Sequence, residues 1–200
     1  MWVNSLFAGL GEVMVTAEDA KRLLALHGEV RPQPPSDWTG AFPIPPAVGR
    51  FYREVGPANV TIEAHGNPYF LPSLADVWQF QAGYRWNGLS GEPIADWPDD
   101  WIVVAYEGGA PFIFVRSSGV VLHAYHGEGD WDAGEMFPNL NSMAACLAQI
   151  GGIVLEAGSE YMEEDCSIRP KYRALASSRL EELLGSKLDA EAVLGVLGWG

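Results

Sequence analysis

Basic residues are scarce in this chain: 12 lysines and arginines stand against 26 aspartates and glutamates, a net charge of -14. Such a surface repels phosphate backbones, which excludes nucleic acid as the expected partner, and it attracts basic proteins. The same charge also serves plain solubility. Cysteine is nearly absent. Cys146 and Cys166 form no CxxC and belong to no paired set; Cys146 falls in a helical pattern, where a lone thiol packs, and two unpaired thiols suit a reducing cytoplasm. Long apolar runs are missing too, none approaching the ~18 residues of a membrane span. The opening MWVNSLFAGLGEVMV has no lysine or arginine and meets Glu12 early, unlike a signal peptide. The expectation is a cytoplasmic protein with no membrane contact.

Catalytic and cofactor signatures are also lacking. No GxSxG occurs, and Gly108-Gly109 has neither the further glycine nor the lysine of a phosphate cradle. It reads as a hairpin turn requiring positive φ. His123 and His126 lie an odd number of residues apart, so on one strand they face opposite sides and do not chelate together. Asp130-x-Asp132-x-Gly134-Glu135 places its glycine one position early for a calcium loop, and Asn141 stands where the bidentate glutamate belongs. A solvated acidic loop is the simpler reading. No cofactor, no metal and no enzymatic activity are expected.

What the chain does contain is β-rich at its centre. Trp101–Tyr106, Phe112–Val115 and Val120–Tyr125 are apolar, β-branched and aromatic runs separated by glycine-bearing breaks, which predicts an antiparallel meander. Val60–Ala64 alternates as a strand, and Tyr69–Leu71 is a second short one. Helices are predicted from Thr16 to Gly28, from Pro46 to Val55, from Ser73 (with Asp76 completing a capping-box variant), from Asn139 to a stop at Gly151-Gly152, from Pro170, and finally near Asp189. The Pro-rich stretch between Val30 and Pro46 is an extended connector whose Trp38, Phe42 and Ile44 pack along the domain. Trp101, Val103, Ile113, Val121 and Leu147 are expected to share one core.

The order of these pieces resembles the SUKH superfamily, which includes a yeast cell-wall-synthesis regulator and many bacterial toxin-immunity proteins. The resemblance spans roughly Phe42 to Gly151. It is carried by Ile44-Pro45-Pro46 leading to Phe51-Tyr52, by the strand ending at Gly108-Gly109-Ala110-Pro111, and by Tyr125-His126-Gly127-x-Gly129-x-Trp131. At Ala110 the chain departs from the Gly-Asp-Pro of many relatives, so any role of that aspartate is lost. The resemblance implies an α+β fold, a twisted, mainly antiparallel sheet with N-terminal and C-terminal helices packed around it. Two hundred residues suit one domain, read as helix and connector over 1–41, the family-like core over 42–151, and a helical extension over 152–200; the resemblance says nothing of the flanking parts.

The implied role is that of an immunity protein, which neutralises a cognate secreted toxin delivered by type VI secretion or contact-dependent inhibition, frequently a nuclease with a basic cleft. The alternatives are a regulatory scaffold with no toxin partner, and an enzyme with an unrecognised site. Candidate partner-binding residues are the acids flanking the meander, Asp99, Asp100, Glu107, Glu128, Asp130 and Asp132, together with Trp131, which is either core or an exposed anchor. A monomer or weak dimer is expected.

Overall fold

The computed structural model describes residues 15–125 and 131–200. Its first helix, α1 (Ala17–Leu24), starts where Thr16 accepts a hydrogen bond from the Asp19 N–H at 3.1 Å, and it buries Ala20, Leu23 and Leu24. The Pro-rich connector does pack on the domain. Gln33 is buried within it, donating to Pro57 O and accepting from Leu74 N–H, each at 2.7 Å. Trp38 and Phe42 meet Trp78 edge-on, and Arg116 lies 4.4 Å over the Phe42 ring.

Proline then starts α2 (Pro46–Glu54) at no hydrogen-bonding cost. A six-stranded sheet follows, β1 (Val60–Ile62), β2 (Tyr69–Leu71), β3 (Trp101–Glu107), β4 (Ala110–Val115), β5 (Val121–His123) and β6 (Gly134–Phe137), paired antiparallel in sequence order. A single-turn helix, α3 (Leu74–Val77), opens the long excursion between β2 and β3. The Ser73 hydroxyl donates to the Asp76 carboxylate at 2.6 Å, so Ser73 does not complete the expected capping box. Three helices close the chain: α4 (Leu140–Ala157), α5 (Pro170–Leu184) and α6 (Lys187–Val196). The last is capped by Ser186, whose hydroxyl accepts from the Asp189 N–H. The fold is α+β, as expected.

Both faces of the sheet are covered, and this corrects the expectation of one core. Inward-facing Ile102, Ala105, Phe112, Phe114 and Val121 join Leu147 and the helices. Outward-facing Val103, Ile113 and Leu122 form a second cluster with Trp97, packed against Trp101 at the start of β3, Tyr84 from the excursion and Trp131 from the β5–β6 connection. Alternation along a strand forces the split: Val103 and Ile113 are register partners and share the outer face. A bulge at Val104 sets Val104 and Ala105 on the same, inner side.

The acidic segment read as a solvated loop also changes, because Gly134 and Glu135 begin β6. Two apolar residues, Met136 and Phe137, are too few to show a period. Likewise α4 does not stop at Gly151-Gly152 but continues to Ala157, across the expected boundary at residue 151. The segment from Leu140 to Tyr161 is apolar and long enough to cross a membrane, yet 67% of its 18-residue apolar window is buried here as the core helix.

Gly151 is the reason a helix former is absent at that point. A Cβ there would lie 2.8 Å from the Glu63 carbonyl and would strike Ile62, whereas Gly152 has open space. We therefore expect Gly151→Ala to destabilise the protein by about 1–3 kcal/mol through overpacking. Gly152→Ala should stabilise it by up to about 1 kcal/mol through helix propensity. Urea unfolding of the two variants checks both signs, and equal effects would mean that the close approach does not govern α4.

Candidate functional site

The register of the meander brings a distinctive set of side chains to one end of its inner face. Glu107 closes β3, paired with Tyr69 on one side and Ala110 on the other, and Phe112 pairs with His123. Directly opposed residues share a face, so Tyr69, Glu107, Ala110, Phe112 and His123 all point inward. The turn between β3 and β4 is Gly108-Gly109, with φ of 54° and 99°, the left-handed pair that a two-residue hairpin requires. A side chain on Gly108 would run into the Asn67 amide.

The end of α6 closes over this edge. Val196, Leu197 and Gly198 face His65, Asn67, Glu107, His123 and Tyr125 across a cleft of about 360 Å³. The Tyr125 hydroxyl donates to Val196 O at 3.2 Å. Behind Gly198, the fully buried Trp199 stacks on Tyr161, which meets His65 edge-on. The C-terminal segment is thus held by aromatic packing and forms a fixed wall.

The chemistry of the cleft is unusual for its burial. No lysine or arginine lines it. Burial pushes the Glu107 carboxyl up to about 7 and the His123 imidazole down to about 4, which keeps His123 neutral at neutral pH. The Tyr69 hydroxyl is raised by burial and then by the Glu107 charge. His123 Nε2, Tyr69 OH, His65 Nδ1 and Trp199 Nε1 are buried without a hydrogen-bond partner among the described residues. Orphaned polar atoms are rare in folded interiors, and His123 and His65, which carry two of these, also line the cleft.

Among the described residues no cluster of three His, Cys, Asp or Glu side chains is placed to hold a metal. Two other clefts lie elsewhere on the described surface. One, of about 180 Å³, lies between α2 and the start of α4; the other is occupied by the Arg173–Glu191 ion pair at 2.6 Å.

Only some of the sequence-derived candidates converge here. Glu107 lies in the cleft, and Asp132 is exposed on the β5–β6 connection at the same end of the sheet. Trp131 is half-buried over the outer face, its ring 5.4 Å from Tyr84 and 5.5 Å from Trp97. Glu128, Asp130 and His126 lie outside the described residues.

Asp99 and Asp100 are at the opposite end of β3 from the cleft. They precede β3, and a seven-residue strand carries the chain about 20 Å from them to Glu107. There Asp99 pairs with Arg85 at 3.1 Å, while Asp100 lies 4.0 Å from Arg116 and accepts from Ser117 N–H. Both are tied to neighbours on this end of the sheet. His65 and Asn67 escaped the sequence reading because nothing local marks them, and Tyr125 entered it only as part of a strand and a motif, not as a site residue. Glu107 did carry a signal: counted from Phe112 through the two-residue turn, it is a charged residue at an inward position.

No protein-family model, no curated protein and no solved structure matches this chain. The likeness to SUKH proteins therefore rests on the order of motifs alone.

The raised Glu107 pKa has a definite consequence for stability. Its ordinary value is 4.5 and its folded value about 7, so between these the folded state holds a proton that the unfolded chain has released. The contribution is complete below about pH 4.5 and is lost as pH rises through about 7. His123 acts with the opposite sign, since its folded value of about 4 lies below its ordinary 6.5, and stability falls as pH drops through that window. We expect Glu107→Gln to raise the thermal midpoint relative to wild type near about pH 8, with the difference vanishing towards about pH 4.5. Calorimetry across this range measures it; a variant less stable than wild type at alkaline pH would mean that Glu107 is paired.

Proposed function

We propose that this protein is a cytoplasmic immunity-type binding module with no reaction of its own. It neutralises a cognate secreted toxin, such as a nuclease, by covering the toxin's basic surface with the acidic end of its sheet. The observation that supports this most is the absence of positive charge where the cleft opens. From residue 117 to 168 the chain holds no lysine or arginine, and none lines the cleft. Exposed Glu63, Asp132 and Glu160 stand around that end of the sheet, with Glu107 inside it. An acidic, partly desolvated concavity of this kind complements the cationic cleft with which a nuclease holds phosphate.

In this reading the charge of -14 steers association, and the cleft fixes the register. The aromatic wall of Tyr161 and Trp199 keeps the receiving surface rigid, which limits the ordering cost of binding.

Where a secreted toxin is encoded beside its gene, co-expression of this protein should restore growth to cells making that toxin. The double variant Glu63→Lys and Asp132→Lys should retain its thermal midpoint, because exposed charges stabilise little. Its association with the toxin should slow by about tenfold, and wild-type association should itself slow as salt rises to about 0.5 M. Glu181→Lys with Glu182→Lys, beside the opposite end of α6, should bind like wild type. Loss of binding in that control pair alone would move the interface to the C-terminal helices.

A further inference from the structure

We infer that Asn87 is a site of self-modification, at which the main-chain nitrogen of Gly88 closes on the Asn87 carboxamide and converts it to a carboxylate. Asn87-Gly88 is the one Asn-Gly pair in the chain. It stands in an exposed turn of the β2–β3 excursion, next to Leu89, which is wholly exposed. The Asn87 N–H donates to Glu92 O and the Gly91 N–H to Asn87 O, each at 2.8 Å. The N–H groups of Leu89 and Ser90 donate to Asn87 Oδ1 at 2.9 and 3.1 Å. Of the main-chain N–H groups from Asn87 to Glu92, that of Gly88 alone has no hydrogen-bond partner among the described residues.

These features supply what an intramolecular ring closure needs. Base from solvent takes the exposed Gly88 amide proton, and the nitrogen attacks Asn87 Cγ, its neighbour along the chain. Electron density moves onto Oδ1, where the Leu89 and Ser90 N–H groups stand as donors to the developing charge. The tetrahedral carbon collapses, its bond to the carboxamide nitrogen breaks, and ammonia leaves with a proton from water. Water then opens the five-membered succinimide. Cleavage of the new Cγ–N bond gives aspartate, and cleavage of the original main-chain bond gives isoaspartate. Either product adds a negative charge beside Glu92, and isoaspartate also lengthens the main chain by a methylene.

The other described asparagines lack these conditions. Asn67 precedes Pro68, which has no N–H. Asn59 precedes β-branched Val60 and is held by Asp76 and the Ser73 N–H. Asn139 precedes Leu140 and caps α4, and Asn141 precedes Ser142, whose N–H is spent on that cap. A Cβ on Gly88 would meet only the Ala82 Cβ at 3.8 Å, and Gly88 is not among the glycines with positive φ. Gly88→Ala therefore fits the turn while shielding the nitrogen.

No residue of this turn lines the cleft beside α6, so the modification and the proposed function are tested separately. The full-length protein is incubated at mildly alkaline pH, both folded and unfolded in guanidinium chloride. Peptide mapping by mass spectrometry follows the exchange of amide for carboxyl, and isoaspartyl methyltransferase labels the isoaspartate. Folded Asn87 should convert at a rate within about tenfold of the unfolded chain, since an exposed turn needs no global opening to react. It should convert at least about tenfold faster than any other described asparagine, and Gly88→Ala should slow it by a similar factor. Gly88→Ala should keep the wild-type thermal midpoint, so that the slower reaction reports the nitrogen and not unfolding. An Asn87 that remains an amide in the folded protein while the unfolded chain converts would overturn the inference, because the turn would then hold carboxamide and nitrogen apart. Conversion undiminished by Gly88→Ala, or earlier conversion at another described asparagine, would overturn it equally.

Discussion

The contact of Gly151 with Ile62 and the Glu63 carbonyl is the constraint on which the rest of the architecture depends. Only a residue without a side chain lets α4 approach β1 so closely, and that approach seats the helix across the inner face of the sheet. Leu147, Ile150 and Ile153 are then buried to within 1% of completely, in the same core as Phe112 and Phe137. The remaining helices assemble on α4 and on one another: α1 and α5 pack against α4, and α6 packs against α5. A larger residue at 151 would force Ile62 or the α4 backbone to shift.

A core closed in this way has an end, and the candidate site is there. The end of α6 closes over this margin of the inner face, leaving Tyr69 and His123 buried and Glu107 partly covered. Apolar side chains would complete the core; the chain instead places Glu107, His123 and Tyr69 there. The energetic consequence is a carboxylate and an imidazole whose charged forms are both disfavoured by burial. Such an arrangement costs stability in the isolated protein, and a cation from another molecule would offset that cost by giving the carboxylate a partner.

Charge and shape divide the work in the proposed function. Net charge acts at distances up to a Debye length and draws basic proteins to every acidic part of the surface without selecting among them. The cleft selects, because its acceptors are fixed by strand register and its walls by aromatic packing. Asp99 and Asp100 illustrate the difference. They contribute to the net charge, yet they are tied to Arg85 and Arg116 and to the end of the strand opposite the cleft.

Much of this was legible in the residues alone. The charge balance, the three central strands, the Gly108-Gly109 hairpin, the Thr16 cap and the Pro46 and Pro170 helix starts are local properties, set by composition and by backbone preferences over a few positions. Glu107 was legible as a candidate acid at an end of the meander, but its place on the inner face follows from register and the bulge in β3. Tertiary structure decided the rest. Whether Gly151-Gly152 ends a helix depends on what lies against it, since a glycine pair that would stop an isolated helix continues it when β1 needs the space. Whether Met136-Phe137 is a strand depends on β5 offering an edge to pair with. His65, Asn67, Tyr125 and the end of α6 come from segments far apart in the chain, and only the closure of the helices over the sheet brings them to one cleft. Sequence by itself determined the charge and the local elements; the cleft arises from register and packing, which are relations between distant residues and leave no mark in any one stretch.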